Sequence, residues 1–197
     1  MAKVAVQTFH TPRERGLEAA RQIALVVGAS VFVAVCARIA IPLPFTPVPL
    51  TMQNFGVLLV GLLLGSRRGF AALTLYLAEG AMGLPVFSPV GLGGVAQILG
   101  VTGGYLLAYP FVAALAGFIF ERGRKTFVRA TVAGLLAEVL LFVGGLSWLY
   151  FWTHSLAKAA YLGLYWFLAA EVIKVMIAAA VATRGKNVRA GDAKLEF

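Results

Sequence analysis

Residues 167–179 read FLAAEVIKVMIAA, a run apolar enough to lie in a bilayer that nevertheless carries Glu171 and Lys174 three positions apart. On insertion scales a charge near the centre of a membrane helix costs roughly 2.5–3.5 kcal/mol. Residues three apart share one helix face, so the two side chains can pair and point the same way. Pairing lowers the cost without removing it, because both partners still leave water. Ionisable groups at such positions usually mark a solute pathway. The pair is therefore expected to form the polar wall of an apolar pocket; the plainer alternative is a pair that only sets the rotation of its helix in a bundle.

The rest of the chain sets that run in a membrane. Of its 197 residues, 60% are hydrophobic and 13% charged, and the mean hydropathy is +0.88. Too few polar residues remain to cover a soluble surface. A spanning helix needs about 20 mostly apolar residues, and six segments qualify, at about 22–41, 51–65, 69–86, 96–120, 130–150 and 161–183. The expected fold is an all-α integral membrane protein of six helices, a single domain over 1–197, with polar tails at about 1–20 and 184–197.

The formal charge of +9 reports topology. Arg13, Arg15 and Arg21 with Lys3 precede the first span, Arg67 and Arg68 separate the second from the third, Arg122, Arg124, Lys125 and Arg129 separate the fourth from the fifth, and Arg184, Lys186, Arg189 and Lys194 follow the sixth. With six spans these fall on one side, which the positive-inside rule makes cytoplasmic together with both termini. A nucleic-acid partner is not expected, since no basic face is interleaved with stacking aromatics. The basic start and the small triplet ending at Ala37 resemble a signal peptide, but removing it would break the charge alternation.

Two outer stretches point to a binding site. IPLPFTPVPLTMQN (41–54) holds Pro42, Pro44, Pro47 and Pro49, which remove backbone donors and fix φ, so it cannot continue a helix. GLPVFSPVGLGGVAQILGVTGGY (83–105) is rich in glycine. Irregular backbone near membrane depth is tolerated where it is buried or lines a cavity. These loops are expected to form the rim and lid of a pocket near the extracytoplasmic side. Small residues at four-residue spacing, Ala20, Ala24 and Gly28, Gly61 and Gly65, Gly100 and Gly104, allow close helix approach. Internal packing is the simpler explanation, and docking to a separate protein the other. Glu79 is expected on the exposed rim, and Glu138 lies well inside the fifth span with no partner named by the sequence. Arg38, at the outer end of the first span, either snorkels to the headgroups or faces inward.

Enzymatic chemistry has little to stand on. The only histidines, His10 and His154, lie in a tail and a loop, so no metal cluster or nucleophile–base pair forms in the membrane. GLGG lacks the strand-to-helix context of a nucleotide motif. An intramembrane enzyme using Glu138 or Glu171 as base, and a purely structural subunit, stand as alternatives.

Three stretches taken together, IPLPFTPVPLTMQNFGVLLVGLLLG (41–65), GLPVFSPVGLGGVAQILGVTGGYLLAYP (83–110) and AAEVIKVMIAA (169–179), resemble the BioY family, the biotin-binding S component of energy-coupling factor (ECF) transporters. The resemblance covers about Arg21 to Ala182. It implies biotin as transported ligand with no cofactor, no catalytic activity, location in a prokaryotic inner membrane, and two kinds of partner, a transmembrane coupling protein and cytoplasmic ATPase subunits. It also implies that Glu171 and Lys174 hold the biotin head group, that Gly103 and Gly104 offer bare backbone beside Tyr105, and that Thr51 and Gln53 sit behind a covering loop. Ala20, Ala24 and Gly28 would dock the coupling protein, and Arg38, if it faces inward, is the candidate to receive the ligand carboxylate. Glu171 stands where the family commonly has Asp, and Val101 where a proline usually precedes Thr-Gly-Gly-Tyr. A related S component for another vitamin is the nearest alternative.

Overall fold

A computed structural model describes residues 12–192. The expected tails fall partly outside them, at 1–11 and 193–197, which include Lys3, His10, Thr11 and Lys194. The remaining parts of both tails are helical.

The chain is a helical bundle with one small hairpin. Helix α1 (Pro12–Arg38) runs into strands β1 (Ala40–Ile41) and β2 (Leu50–Thr51), followed by α2 (Gln53–Leu64), α3 (Ser66–Ala81), α4 (Gly94–Leu99), α5 (Gly103–Glu121), α6 (Phe127–Thr153), α7 (Leu156–Ala160), a π-helical turn (Tyr161–Tyr165) and α8 (Leu168–Asp192). The antiparallel hairpin departs from an all-α expectation. Its prolines stop α1 but lie between the strands, leaving Ala40–Ile41 and Leu50–Thr51 their backbone donors to pair.

Three described helices, α1, α5 and α6, are long and apolar enough to cross a membrane, and the segment from Leu156 to Arg184 is a fourth candidate bent by 45°. The other expected spans are shorter or interrupted. Helix α2 has 12 residues and α3 has 16; α2 is buried over most of its length and so asks little of the lipid. The expected 96–120 helix is broken at Gly100–Thr102, between α4 and α5. Outward-facing Val31, Phe111, Val139, Phe151 and Ile173 are more than half exposed, as a surface covered by acyl chains requires. The chain is a multi-pass membrane protein.

Small residues hold the centre together. A Cβ at Gly61 would lie 2.4 Å from the Ala113 carbonyl oxygen, and one at Gly117 2.5 Å from the Gly65 carbonyl carbon, so α2 and α5 touch backbone to backbone. Gly65, at φ 84°, makes the turn into α3, and the Glu121 carboxylate at the end of α5 accepts the Ser66 N–H at 3.1 and 3.2 Å. Arg67, Arg68 and Arg122 gather there, and Arg129 Nε donates to Ile119 O at 2.7 Å. Four of the basic residues assigned to one side by sequence thus lie at one end of the bundle.

Ala20, Ala24 and Gly28 are exposed, and a Cβ at Gly28 would meet nothing within 4 Å. That stripe is therefore free of internal packing, unlike the Gly61 and Gly65 pair. Replacing Gly61 by Val is expected to cost about 1–3 kcal/mol, the usual penalty of overpacking, seen as a lower Tm in detergent, whereas Gly28→Ala should leave Tm unchanged. Equal effects from the two would contradict this packing.

Candidate functional site

At the opposite end of α5 from the arginines, the hairpin, the glycine loop and four helices line a cavity. It is lined by apolar and aromatic side chains, among them Val48, Leu106, Leu141 and Phe167, and by Thr51, Gln53, Asn54, Ser88, Gln97, Thr102, Tyr105, Tyr109 and Glu171. Among the described residues, Glu171 is its one charged lining residue.

Glu171 does not lie inside a continuous helix as the hydropathy suggests. The sixth span breaks at the π-helical turn, and α8 starts at Leu168, placing Glu171 in its first turn where a carboxylate suits the helix dipole. The carbonyls freed by the break are taken up across the site. Tyr105 Oη donates to Gly163 O at 2.8 Å, and Thr46 Oγ1 in the Pro-rich loop donates to Leu162 O at 2.6 Å. The break is thus clamped from α5 on one side and from the lid on the other.

The buried charges form a chain. Lys174 Nζ donates to Glu171 Oε1 at 2.7 Å and to the Thr51 carbonyl at 2.6 Å. Asn54 Nδ2 donates to Glu171 Oε2 at 2.6 Å and also to Glu138 Oε1. Asn54, Glu138, Glu171 and Lys174 are each no more than 7% exposed. An amide nitrogen has two hydrogens, and both are committed to carboxylates. This fixes the amide orientation and leaves Asn54 Oδ1, together with Glu138 Oε2, as buried acceptors lacking a hydrogen-bond partner among the described residues. Gln53 Nε2 donates to Tyr76 Oη at 2.8 Å, and Tyr76 Oη donates to Val86 O at 2.9 Å, tying α2 to α3 and the glycine loop.

The expected site residues separate into two groups. Thr51, Gln53, Tyr105 and Glu171 converge on the cavity. Lys174, Gly103, Gly104 and Arg38 do not line it. Lys174 lies behind Glu171 and holds the hairpin. Gly103 and Gly104 serve packing: a Cβ would lie 1.8 Å from Ile98 O at the first and 2.3 Å from Trp148 Cβ at the second. Arg38 is exposed at the end of α1, in keeping with snorkelling. Glu79 is half-buried, not an exposed rim group, and accepts a hydrogen bond from the fully buried Ser30.

Sequence reasoning missed Asn54, Ser88, Gln97 and Tyr109. Asn54 had a detectable signal, since an amide in the first turn of an apolar helix needs partners, and Glu138 needed the same.

Lys174→Met should destabilise the protein by about 3–5 kcal/mol, because it strands a buried carboxylate, and it should loosen the hairpin held at Thr51. Glu138→Gln keeps an acceptor for Asn54 and should change stability by about 1 kcal/mol or less. Denaturant unfolding in detergent separates the two, and a mild Lys174→Met would contradict the geometry.

Residues 6–191 match the BioY family. A protein of Pyrococcus horikoshii named "Probable biotin transporter BioY" is 36% identical over 84% of this chain and 96% of its own. The "Biotin transporter BioY" of Thermotoga maritima is 34% identical over 75% of this chain and 86% of its own. The crystal structure of an S component for biotin from an ECF-type ABC transporter superposes with a TM-score of 0.78 at 25% identity, covering 91% of this chain and 95% of that one. The chain belongs to the BioY family.

Proposed function

We propose that the chain takes up biotin as the ligand-binding S component of an ECF-type transporter, and that it is a transport component with no catalysis of its own. The observation that carries this reading is the pair formed by Glu171 and Asn54 at the wall of an otherwise largely uncharged cavity. The ureido ring of biotin carries two N–H donors. Glu171 keeps acceptor capacity beyond its bonds to Lys174 and Asn54, and Asn54 Oδ1 is unpartnered. Two adjacent acceptors suit two adjacent donors, and a buried acceptor left unmatched costs about 1–3 kcal/mol. The aromatic and aliphatic wall suits the thiophane ring. Lys174 acts through Glu171, setting its charge and direction, and Thr51, Gln53 and Tyr105 complete the wall.

The finer topology follows the same reading. Six passes of unequal length, the third and fourth of which are joined through the glycine loop, put both termini and the arginine end in the cytoplasm of a prokaryotic cell, and the cavity at the outer face. The uncovered stripe of Ala20, Ala24 and Gly28 offers a close-approach surface to a transmembrane coupling protein, with ATPase subunits beyond it.

Calorimetry on the purified chain tests the central claim. Biotin should bind, and Asn54→Ala and Glu171→Gln should each weaken it at least tenfold, about 1.4 kcal/mol. A folded protein that fails to bind biotin overturns the reading. For the topology, a green fluorescent protein fused after Phe197 should fluoresce and an alkaline phosphatase there should be inactive; the reverse pattern would contradict cytoplasmic termini.

A further inference from the structure

The arginine end of the bundle has a groove of its own. The last turn of α5 meets the first turn of α3 there, because the Glu121 carboxylate accepts the Ser66 N–H. Arg67, Arg68 and Arg122 line the groove together with Glu121, Leu64 and Phe118. Three cations thus stand against one anion. The ion pairs among the described residues are Arg21–Glu18 and Lys174–Glu171, so none of these three guanidiniums is paired with a carboxylate there. Glu121 is already committed as the cap of α3.

Arg122 is set at the border between water and hydrocarbon. Its guanidinium does not extend away from the bundle but folds back over the Phe118 ring, 3.7 Å from the centroid. A ring against its face leaves the N–H donors at its edge free for phosphate oxygens. Toward the membrane centre the same surface continues in Phe111 on α5 and Phe70 on α3, whose ring centroids lie 5.4 Å apart. Phe70, Phe111 and Phe118 are 39%, 57% and 42% exposed, so all three face the acyl chains. The groove is therefore cationic at its head and aromatic along its length.

That division selects the occupant. A free anion would use only the arginines, and a neutral chain only the phenylalanines. A phospholipid uses both, and phospholipid is the medium that surrounds this surface. Its headgroup must carry no ammonium, which would be placed among guanidiniums that repel it. Basic clusters at a membrane border attract anionic headgroups in the same way. We infer that the groove between the start of α3 and the end of α5 binds one anionic phospholipid from the leaflet at that end. Its phosphodiester meets Arg67 and Arg122, with Arg68 beside them, and an acyl chain lies along Phe118, Phe111 and Phe70. The site is at the opposite end of α5 from the Glu171 cavity and does not depend on what that cavity holds.

Native mass spectrometry of the full-length protein in neutral detergent, titrated with dioleoyl phosphatidylglycerol or dioleoyl phosphatidylcholine, tests this. Phosphatidylglycerol should bind at least tenfold more tightly than phosphatidylcholine, and at least tenfold more tightly than glycerol 3-phosphate, which has the anion without the chains. Arg67→Gln combined with Arg122→Gln should cost at least tenfold in affinity for phosphatidylglycerol. Arg124→Gln combined with Lys125→Gln removes the same charge from residues that do not line the groove, and should stay within about threefold of the unaltered protein. Equal losses in the two double variants would reduce the effect to bulk charge and overturn the site. Glycerol 3-phosphate binding as tightly as the lipid would overturn a phospholipid as occupant, and phosphatidylcholine binding as tightly as phosphatidylglycerol would overturn the role of the arginines. Those two comparisons use the unaltered protein and decide the matter even if the arginine variant does not fold.

Discussion

Two carboxylates and one ammonium are buried in a bundle whose surroundings are hydrocarbon, and the amide of Asn54 is what allows the carboxylates to approach each other. Its two hydrogens go to Glu138 on α6 and Glu171 on α8, so a single side chain on α2 fixes the relative position of three helices. On the far side of Glu171, Lys174 reaches the Thr51 carbonyl and ties the same chain of contacts to the hairpin that covers the cavity. Removing any one link would leave a buried polar group without a partner, which costs more than the link itself contributes. Such a network stabilises little by itself. Its effect is to specify one arrangement of helices and lid.

The break in the sixth span serves the same end. A continuous helix would bury its carbonyls in its own hydrogen bonds and present only side chains to the cavity. The π-helical turn instead releases the carbonyls of Leu162 and Gly163 to Thr46 and Tyr105, and it starts a new helix whose first turn holds Glu171. Irregular backbone is affordable at this depth because every freed group described here meets protein, as membrane burial requires. The Pro-rich loop is therefore tied to the site at two points, Thr46 and Thr51.

Much of this was legible in the sequence. The helical membrane class followed from hydropathy, the rim from proline and glycine content, and the polar position in the wall from Glu171. Other features were not, for identifiable reasons. The Phe167 neighbourhood is almost uniformly apolar, so hydropathy ran through a break whose carbonyls are met by distant residues, Thr46 and Tyr105. Glycine permits close approach of any kind, so Gly103 and Gly104 do not name their neighbours in sequence, and the structure supplies Ile98 at the first and Trp148 at the second. The spacing of Lys174 from Glu171 says that the two meet, and the structure adds the Thr51 carbonyl as the second partner of the ammonium. Asn54 went unnoticed beside Gln53, although an amide is the one uncharged side chain whose nitrogen can serve two carboxylates at once.

The most direct measurement is a structure of the protein with biotin bound, at a resolution that places the ureido ring. The account predicts that ring between Asn54 Oδ1 and Glu171, with Lys174 still on the Thr51 carbonyl. A ureido ring placed away from Asn54 and Glu171 would contradict it.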